Sequence, residues 1–221
     1  MEKGGGTVEV QRAIEILYQD GALLACVKPA GVPSQGAEGD ALPALLARQT
    51  GGAVFPVHRL DQAASGLMVF ARSRQAAAAL SAAVAEGRME KEYFALLSGA
   101  PEPPEGRLED LLFKDSRRGK VFPVKSLRKG VRPAALTYRL LQRQGEVSLV
   151  RAALETGRTH QIRVQFASRG MPLLGDGKYG SRIKGGLMLW SCRLAFSHPL
   201  DDRHMVLYRA PDWPGWRFPA E

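Results

Sequence analysis

The feature that most constrains the fold is a series of short apolar runs separated by turn-forming residues. Such runs occupy residues 22–27, 67–70, 93–97, 134–141, 147–154, 187–196 and 205–208. Each has the length of a buried strand, and Gln144-Gly145 between two of them indicates a hairpin. Because strands and helices do not alternate strictly, as they would around a parallel sheet, the pattern predicts an α+β fold with a large mixed, mainly antiparallel sheet.

A few helices are expected to flank this sheet. Three segments begin with a side-chain oxygen that can accept a free backbone N–H group of a first helical turn. They are residues 40–48 behind Asp40, residues 73–85 behind Ser73 and residues 160–169 behind Thr159. Trp213 and Trp216 are expected to pack on the core. The glycine-rich residues 1–7 predict a flexible tail, and residues 8–221 predict one compact domain.

Composition limits the classes of function. Hydrophobic residues make up 45% of the chain, which is enough for a core, and the apolar runs fall short of the roughly 20 residues that a membrane helix needs. We therefore expect a cytoplasmic protein. Cys26 and Cys192 lie within apolar stretches and are expected to be buried. The four histidines lack the spacing of metal ligands, so no metal site is predicted.

The chain is basic, which favours a polyanionic partner. Lys and Arg number 31 against 22 Asp and Glu, giving a formal net charge of +9. Eight of these cations lie between Lys114 and Arg132, with Asp115 as the only acid. Such a run is often only a solvated loop, but it would also suit phosphate groups. Lys125, Arg128 and Lys129 are our candidate phosphate contacts.

Residues 58–67, His-Arg-Leu-Asp-Gln-Ala-Ala-Ser-Gly-Leu, form the first candidate site. In an extended chain Arg59 and Asp61 point to one side, while His58 and Leu60 point to the other. Arg59 and Asp61 could therefore face one cleft. The alternative is a surface ion pair beside a turn that Asp61 caps.

Residues 157–163, Gly-Arg-Thr-His-Gln-Ile-Arg, form the second candidate site. Arg163 would lie in the early turns of a helix, where a cation opposes the helix dipole at a cost of about 0.3–1 kcal/mol. An anionic partner would offset this cost, and Asp61 is a candidate. The alternative is an exposed arginine whose stem lies along the surface.

Together the two segments resemble the RluA-type pseudouridine synthase family. The match is to its HRLD-x-x-T/S-S-G-L signature at residues 58–67 and its G-R-T-H-Q-I-R element at residues 157–163. Its K-x-Y-x-A element matches residues 91–95, and family-like fragments continue at residues 174–180 and 194–199. The resemblance spans roughly residues 22–208. It implies an enzyme with a central active-site cleft that isomerises a uridine in structured RNA, ribosomal or transfer, without a cofactor.

The resemblance also implies roles for individual residues. Asp61 would be the catalytic aspartate, with Arg163 as its partner. Tyr93 would stack on the target base, and Arg59 would fill the place that the flipped base leaves. We also predict RNA contacts from three further motif residues, which are His58, Arg158 and His160.

Two departures from the family pattern affect these expectations. Ala64 stands where the family more often has Thr, which removes a hydroxyl from the loop. Many relatives also carry an S4-like RNA-binding domain in front, for which this chain has no room. Substrate choice is therefore expected to come from the catalytic domain itself. No obligate protein partner is evident, and we expect a monomer.

Two other classes of function stay open on the sequence. A non-catalytic RNA-binding module could keep this fold, although the set of Arg59, Asp61, Tyr93 and Arg163 argues against it. A nucleoside or glycoside hydrolase could also place a carboxylate beside a glycosidic bond, but such enzymes usually need two cooperating carboxylates. For a synthase, the sequence does not separate direct attack of Asp61 on the sugar from proton abstraction that gives a glycal.

Overall fold

The computed structural model describes residues 13–36 and 38–220. The predicted flexible tail, residues 1–7, lies outside the described residues. The strands are β1 (Ile16–Gln19), β2 (Leu23–Lys28), β3 (Phe55–Pro56), β4 (Ser65–Ala71), β5 (Glu90–Ser98), β6 (Glu105–Asp115), β7 (Lys120–Val124), β8 (Val131–Gln144), β9 (Val147–Leu154), β10 (Leu189–Ser197) and β11 (His204–Tyr208). The helices are α1 (Leu42–Thr50), α2 (Arg74–Ala85) and α3 (Gln161–Ala167), with a 3-10 turn at Gly177–Tyr179.

The described strands form one sheet. Its order is β1-β2-β4-β10-β5-β9-β8-β6-β7, with β3 beside β4 and β11 beside β10. The β4–β10 pair is parallel and the other described pairs are antiparallel. This confirms the predicted α+β class with a mixed, mainly antiparallel sheet. The predicted hairpin is also confirmed, since β8 and β9 are joined at Gly145 with a φ of 59°.

The two faces of the central strands enter different apolar clusters. On β5, Tyr93, Ala95 and Leu97 pack towards α1 and α3, whereas Phe94 and Leu96 face the other side. This alternation is the period of two that an extended strand imposes. Trp213 and Trp216 pack against the Phe94 side, as predicted. The site described below lies on the Tyr93 face.

The predicted N-terminal cap is present in helix α2 but absent from helix α1. Ser73 caps α2 by accepting a hydrogen bond from the Ala76 N–H group at 3.1 Å. The predicted Asp40 cap of α1 is wrong, because the N-cap position is held by Ala41, whose side chain makes no capping bond. Pro43 near the start of α1 needs no N–H partner, which lowers the demand for a side-chain cap.

The predicted Thr159 cap of α3 is also wrong. Helix α3 begins at Gln161, and its N-cap is His160 in a left-handed conformation with a φ of 53°. The Gln161 side-chain oxygen accepts hydrogen bonds from Thr156 Oγ1 at 2.8 Å and from the Arg158 N–H group at 3.0 Å. These bonds close the preceding loop on itself and delay the start of the helix.

Both cysteines are buried, as predicted. Burial raises the pKa of each thiol to about 12. The two thiols therefore stay protonated at neutral pH and serve as small apolar groups of the core.

Candidate active site

Asp61 lies in a tight turn between β3 and β4. The Ala64 N–H group donates to the Asp61 carbonyl oxygen at 3.0 Å, so the backbone closes this turn without the hydroxyl that Ala64 lacks. The predicted alternation is confirmed, since His58 and Leu60 are buried while Arg59 is exposed. The Asp61 side chain is 14% exposed and opens onto a cleft.

Lys28 holds the Asp61 turn from beneath. Its side chain is fully buried, and Nζ donates to the carbonyl oxygens of Pro29 at 2.7 Å, Val32 at 2.9 Å and Gln62 at 3.0 Å. Burial lowers the pKa of Lys28 to about 8, while the Asp61 charge opposes that shift. The sequence analysis interpreted this segment only as a turn and missed the lysine, although a cation at the end of a buried strand was the available signal.

Gly66 is required by the close approach of β4 to β10. Its φ is +110°, and a Cβ atom there would lie 2.4 Å from the Ser191 carbonyl oxygen. A larger residue would push apart the parallel pair that follows the Asp61 turn. The glycine of the first motif therefore sets the position of the turn and contributes no chemistry.

The predicted contact between Arg163 and Asp61 is confirmed. Arg163 Nη1 donates to Asp61 Oδ2 at 2.9 Å across 102 residues of sequence. The other donors of the guanidinium bind Asp176, with Nε to Oδ2 at 2.7 Å and Nη2 to Oδ1 at 2.8 Å. Burial by itself would lower the pKa of Arg163, but the hydrogen bonds and charges of Asp176 and Asp61 outweigh it and raise the pKa. Arg163 is therefore a permanent cation in this cleft.

Asp176, which binds Arg163 beside the cleft, is a second residue that the sequence analysis missed. It is 2% exposed and follows Gly175, where a Cβ atom would lie 2.0 Å from the Gly186 carbonyl oxygen. Gly175 and Gly180, on either side of Asp176, both adopt positive φ, as tight backbone turns require. The charge between these glycines was the signal for a second partner of Arg163.

His160 contacts both Asp61 and Tyr179. The Tyr179 hydroxyl accepts a hydrogen bond from the Val121 N–H group at 2.9 Å and lies 2.8 Å from His160 Nδ1. On the other side of the imidazole ring, Nε2 lies 3.8 Å from Asp61 Oδ1, so the ring stands between the Tyr179 hydroxyl and the Asp61 carboxylate. Burial lowers the pKa of His160; the charges of Asp61 and Asp176 oppose this shift and those of Arg163 and Lys178 add to it, so the ring is neutral at neutral pH.

Tyr93 is part of the cleft wall. Its side chain is 6% exposed, and burial together with the Asp61 charge raises its pKa, so the phenol stays protonated. The cleft has a volume of about 180 Å³, small beside the roughly 300–1,000 Å³ of common small-molecule sites. Its lining includes seven predicted site residues, namely His58, Arg59, Asp61, Tyr93, Arg158, His160 and Arg163.

The predicted RNA-binding residues of the two motifs differ in exposure. Arg59 and Arg158 are exposed at the cleft, and Arg158 Nε donates to the Pro133 carbonyl oxygen at 2.9 Å. His58 is only 7% exposed, and its Nε2 accepts a hydrogen bond from the Val69 N–H group at 3.0 Å. Burial, and then the charge of Lys91, lower the pKa of His58 to about 3. His58 is therefore a neutral part of the cleft wall, and its contact with RNA stays a prediction.

The basic run forms a hairpin instead of a loop. Strands β6 and β7 pair across it, and Lys125, Arg128 and Lys129 are exposed in the connection to β8, outside the cleft lining. The hairpin is joined to the site, since Val121 donates to Tyr179 and Lys178 Nζ donates to the Gly119 carbonyl oxygen at 3.0 Å. The basic connection therefore extends from an element that contacts the active-site wall.

Two further properties of the described residues concern metal ions and membranes. Within residues 13–36 and 38–220, no group of three or more His, Cys, Asp and Glu side chains is arranged to hold a metal ion. Among the described helices, none combines the length and apolarity required to cross a bilayer.

Comparison with known proteins agrees with this fold and cleft. The sequence profile of the RNA pseudouridylate synthase family matches residues 22–168. An uncharacterized RNA pseudouridine synthase of Chloroflexus aurantiacus is 43% identical over 70% of this chain and 51% of its own length. Ribosomal large subunit pseudouridine synthase D of Xanthomonas campestris is 35% identical over 82% of this chain and 60% of its own. This chain thus spans about half to three fifths of the length of these relatives.

A solved structure supports the architecture independently. Human RNA Pseudouridylate Synthase Domain Containing 1 superposes with a TM-score of 0.79, covering 96% of this chain and 86% of that one at 24% identity. This likeness shows that the two chains share a fold. The chain belongs to the RNA pseudouridylate synthase family, as its RluA-type motifs predicted.

Proposed function

We propose that this chain converts a uridine of structured RNA into pseudouridine, with Asp61 as its catalytic group. The observation that carries the proposal is the placement of the Asp61 carboxylate at the cleft, where Arg163 Nη1 binds it at 2.9 Å. The guanidinium gives the carboxylate a fixed positive partner and holds one of its oxygens in place. Tyr93 on the cleft wall offers an aromatic surface to a base.

The reaction balances without a cofactor. The bond between N1 of uracil and C1′ of the sugar breaks, the base turns, and a bond from C5 to C1′ forms. One proton leaves C5 and one is taken up at N1, so no electrons are gained or lost. Asp61 would either attack C1′ or remove a sugar proton to give a glycal, and both routes require its ionised carboxylate.

The cleft admits one extruded base while the rest of the RNA stays outside. Extruding a nucleotide from a stack costs a few kcal/mol, which stacking on Tyr93 and contacts with phosphates would repay. Arg59 is exposed at the cleft, where it could occupy the gap that the base leaves. The basic connection with Lys125, Arg128 and Lys129 would hold the RNA beyond the cleft.

The target class is ribosomal or transfer RNA, and large-subunit ribosomal RNA is the first to test. The name of the Xanthomonas campestris relative, a ribosomal large subunit pseudouridine synthase, supports this order. We propose that the protein works in the cytoplasm as a monomer, where either RNA would be available.

A hydrolase is disfavoured because Asp176, the second carboxylate beside the cleft, is fully engaged by Arg163. Both oxygens of Asp176 are bound by Arg163, and its side chain is 1% exposed. Asp176 is therefore not placed to activate water or to protonate a leaving group. This leaves Asp61 as the acid that opens onto the cleft.

The proposal is tested by treating ribosomal and transfer RNA with the purified protein and mapping pseudouridine. Isomerisation leaves the RNA mass unchanged and gives a carbon-linked base, hydrolysis would release uracil, and a binding module would change nothing. Asp61→Asn should lower the single-turnover rate at least about a hundredfold while the protein still folds and binds RNA. Asp212→Asn, an exposed aspartate, is the control. Release of uracil, or near-normal activity of Asp61→Asn, would refute the proposal.

A further inference from the structure

Lys91 is a cation on the cleft wall that the catalytic mechanism does not use. It lies on β5 two residues before Tyr93, so the two side chains leave the same face of the strand about 7 Å apart. Both line the cleft, as does His58 on the neighbouring segment. Lys91 therefore stands about one strand repeat from the surface on which the target base would stack.

The acids nearest to Lys91 in sequence are held elsewhere. Glu90 and Glu92 point to the opposite face of β5, where Arg193 Nη1 lies 2.9 Å from Glu90 and 3.2 Å from Glu92. Arg151 also binds Glu92. In the part of the chain that the structure describes, the Lys91 ammonium is half-buried and makes no hydrogen bond or ion pair. Burial lowers its pKa, as expected for an ammonium that has lost water without gaining an acceptor.

His58 gives a second, independent sign that an acceptor is missing. Its Nε2 accepts a hydrogen bond from Val69, so the proton of the neutral ring lies on Nδ1. That N–H group is buried and has no acceptor among the described residues. Lys91 cannot satisfy it, because an ammonium only donates. Two neighbouring donors without an acceptor favour a ligand that offers only acceptor oxygens.

We propose that Lys91, with His58 beside it, forms a subsite for a backbone phosphate next to the uridine that stacks on Tyr93. A phosphate group supplies anionic oxygens that only accept, which is the group that this wall lacks. The subsite would fix the sugar of the extruded nucleotide relative to Asp61. This inference rests on the proposed function, because it names one contact of the same RNA.

The test is a double-mutant cycle, in which substitutions of Lys91 are combined with neutralisation of single phosphates of the RNA. Binding is measured in the Asp61→Asn background, so that no turnover occurs, with the shortest ribosomal fragment that the wild type still isomerises. Lys91→Met should weaken binding about tenfold and lower the log–log salt slope by about 0.7–0.9. Lys91→Arg should keep most of the affinity. Melting temperatures show that each variant is folded.

Methylphosphonates placed one at a time around the target uridine then locate the contact. At one phosphate next to the target uridine, the neutral group should weaken RNA binding about tenfold when Lys91 is present. In Lys91→Met the same substitution should change the RNA affinity little. Lys184→Met, which removes an exposed lysine outside the cleft lining, should leave that penalty intact.

Unchanged affinity and slope in Lys91→Met would overturn the subsite. The subsite would also be overturned if each methylphosphonate lowered the RNA affinity equally in the presence and absence of Lys91. Lys91 would then bind a base oxygen or no part of the RNA. These outcomes are separate from failure of the proposed function, in which the wild-type protein would isomerise no RNA at all.

Discussion

Arg163 shows how one side chain can orient the Asp61 carboxylate of the cleft through a second acid. Asp176 binds Nε and Nη2 of the guanidinium in a two-pronged pair, which fixes the plane of the group. Only Nη1 then points to Asp61, so the direction of that hydrogen bond is set by a residue buried behind the cleft. Arg163 also lies over the Tyr179 ring, with Cζ 5.1 Å from the ring centre. The guanidinium is held on three sides.

Replacing Arg163 should change how activity depends on pH. Arg163→Ala removes the counter-charge of Asp61, so its carboxylate takes up a proton more readily. The single-turnover rate should fall at neutral pH and recover partly as the pH rises. Arg163→Lys should rescue some activity, because a point charge replaces a two-pronged planar donor. The measurement is the pH–rate profile of the wild type and both variants.

The folded fraction must be followed in the same experiment. Removing one partner of a buried ion pair costs about 3–5 kcal/mol of unfolding free energy, so each rate is corrected by denaturation at the same pH. Profiles of both variants that run parallel to the wild type would show that Arg163 only supports the fold.

The sequence could predict the Arg163–Asp61 contact but not the role of Asp176. A cation in the first turn of a helix is unfavourable without an anion, and that rule led to Asp61. Asp176 lies between Gly175 and Gly177, where a turn alone explains the local sequence. Lys28 was missed for the same reason. Local patterns give no information on which distant backbone or guanidinium a buried charge meets.

At the scale of the element, the hairpin of β6 and β7 connects the basic run to the active-site wall. Pro123 within β7 weakens its strand signal, because proline cannot donate to a sheet ladder. Proline is tolerated there since β7 is the last strand in the order of the sheet. The charges of the run are equally typical of a solvated loop, whereas the Val121 N–H group anchors the hairpin to Tyr179.

The connection that follows β7 should contribute to RNA affinity through its charges. Replacing Lys125, Arg128 and Lys129 by Ala should weaken RNA binding and lower the magnitude of the log–log salt slope by about 0.7–0.9 for each phosphate that the variant no longer binds. Binding is measured by titration over a range of salt concentrations. The control is Arg217→Ala, in the C-terminal segment that packs on the opposite face of the sheet. If affinity and slope both stay at the wild-type values, the connection is only a solvated surface.

At the scale of the whole molecule, the fold class could be predicted from the sequence, but the order of the strands in the sheet could not. Short apolar runs and a hairpin turn are local features, so they indicated a mainly antiparallel sheet. The insertion of β10 between β4 and β5 depends on contacts between residues about 100 positions apart, such as Trp190 with Phe94. Packing of the completed core decides that order, and no local pattern records it.

Asp20 also links two segments that are far apart in the sequence. Its Oδ1 accepts hydrogen bonds from the Ala22 and Leu23 N–H groups at 2.8 and 2.9 Å. Its Oδ2 lies 2.6 Å from the Tyr18 hydroxyl and 2.9 Å from His198 Nε2, across 178 residues of sequence. Asp20 thus joins the β1–β2 turn to the end of β10.

This cluster should make part of the stability of the protein depend on acid pH. Partial burial alone would raise the pKa of Asp20, but hydrogen bonds from Tyr18, Leu23, Ala22 and His198 outweigh it and lower the pKa from 3.8 to about 2. The folded protein then binds this proton more weakly than the unfolded chain. The stabilisation is therefore complete above pH about 4 and is lost as the pH falls towards 2.

Asp20→Asn should accordingly lower the unfolding free energy at neutral pH by about 1 kcal/mol, a small value because the side chain is partly exposed to solvent. The difference from the wild type should shrink between pH about 4 and 2, since the wild-type carboxylate is then protonated too. Urea denaturation across this range measures it, with Asp212→Asn as the exposed control. If the difference in unfolding free energy stayed constant with pH, the two side chains would differ only in packing. The ionised Asp20 carboxylate would then not stabilise the link between the β1–β2 turn and the end of β10.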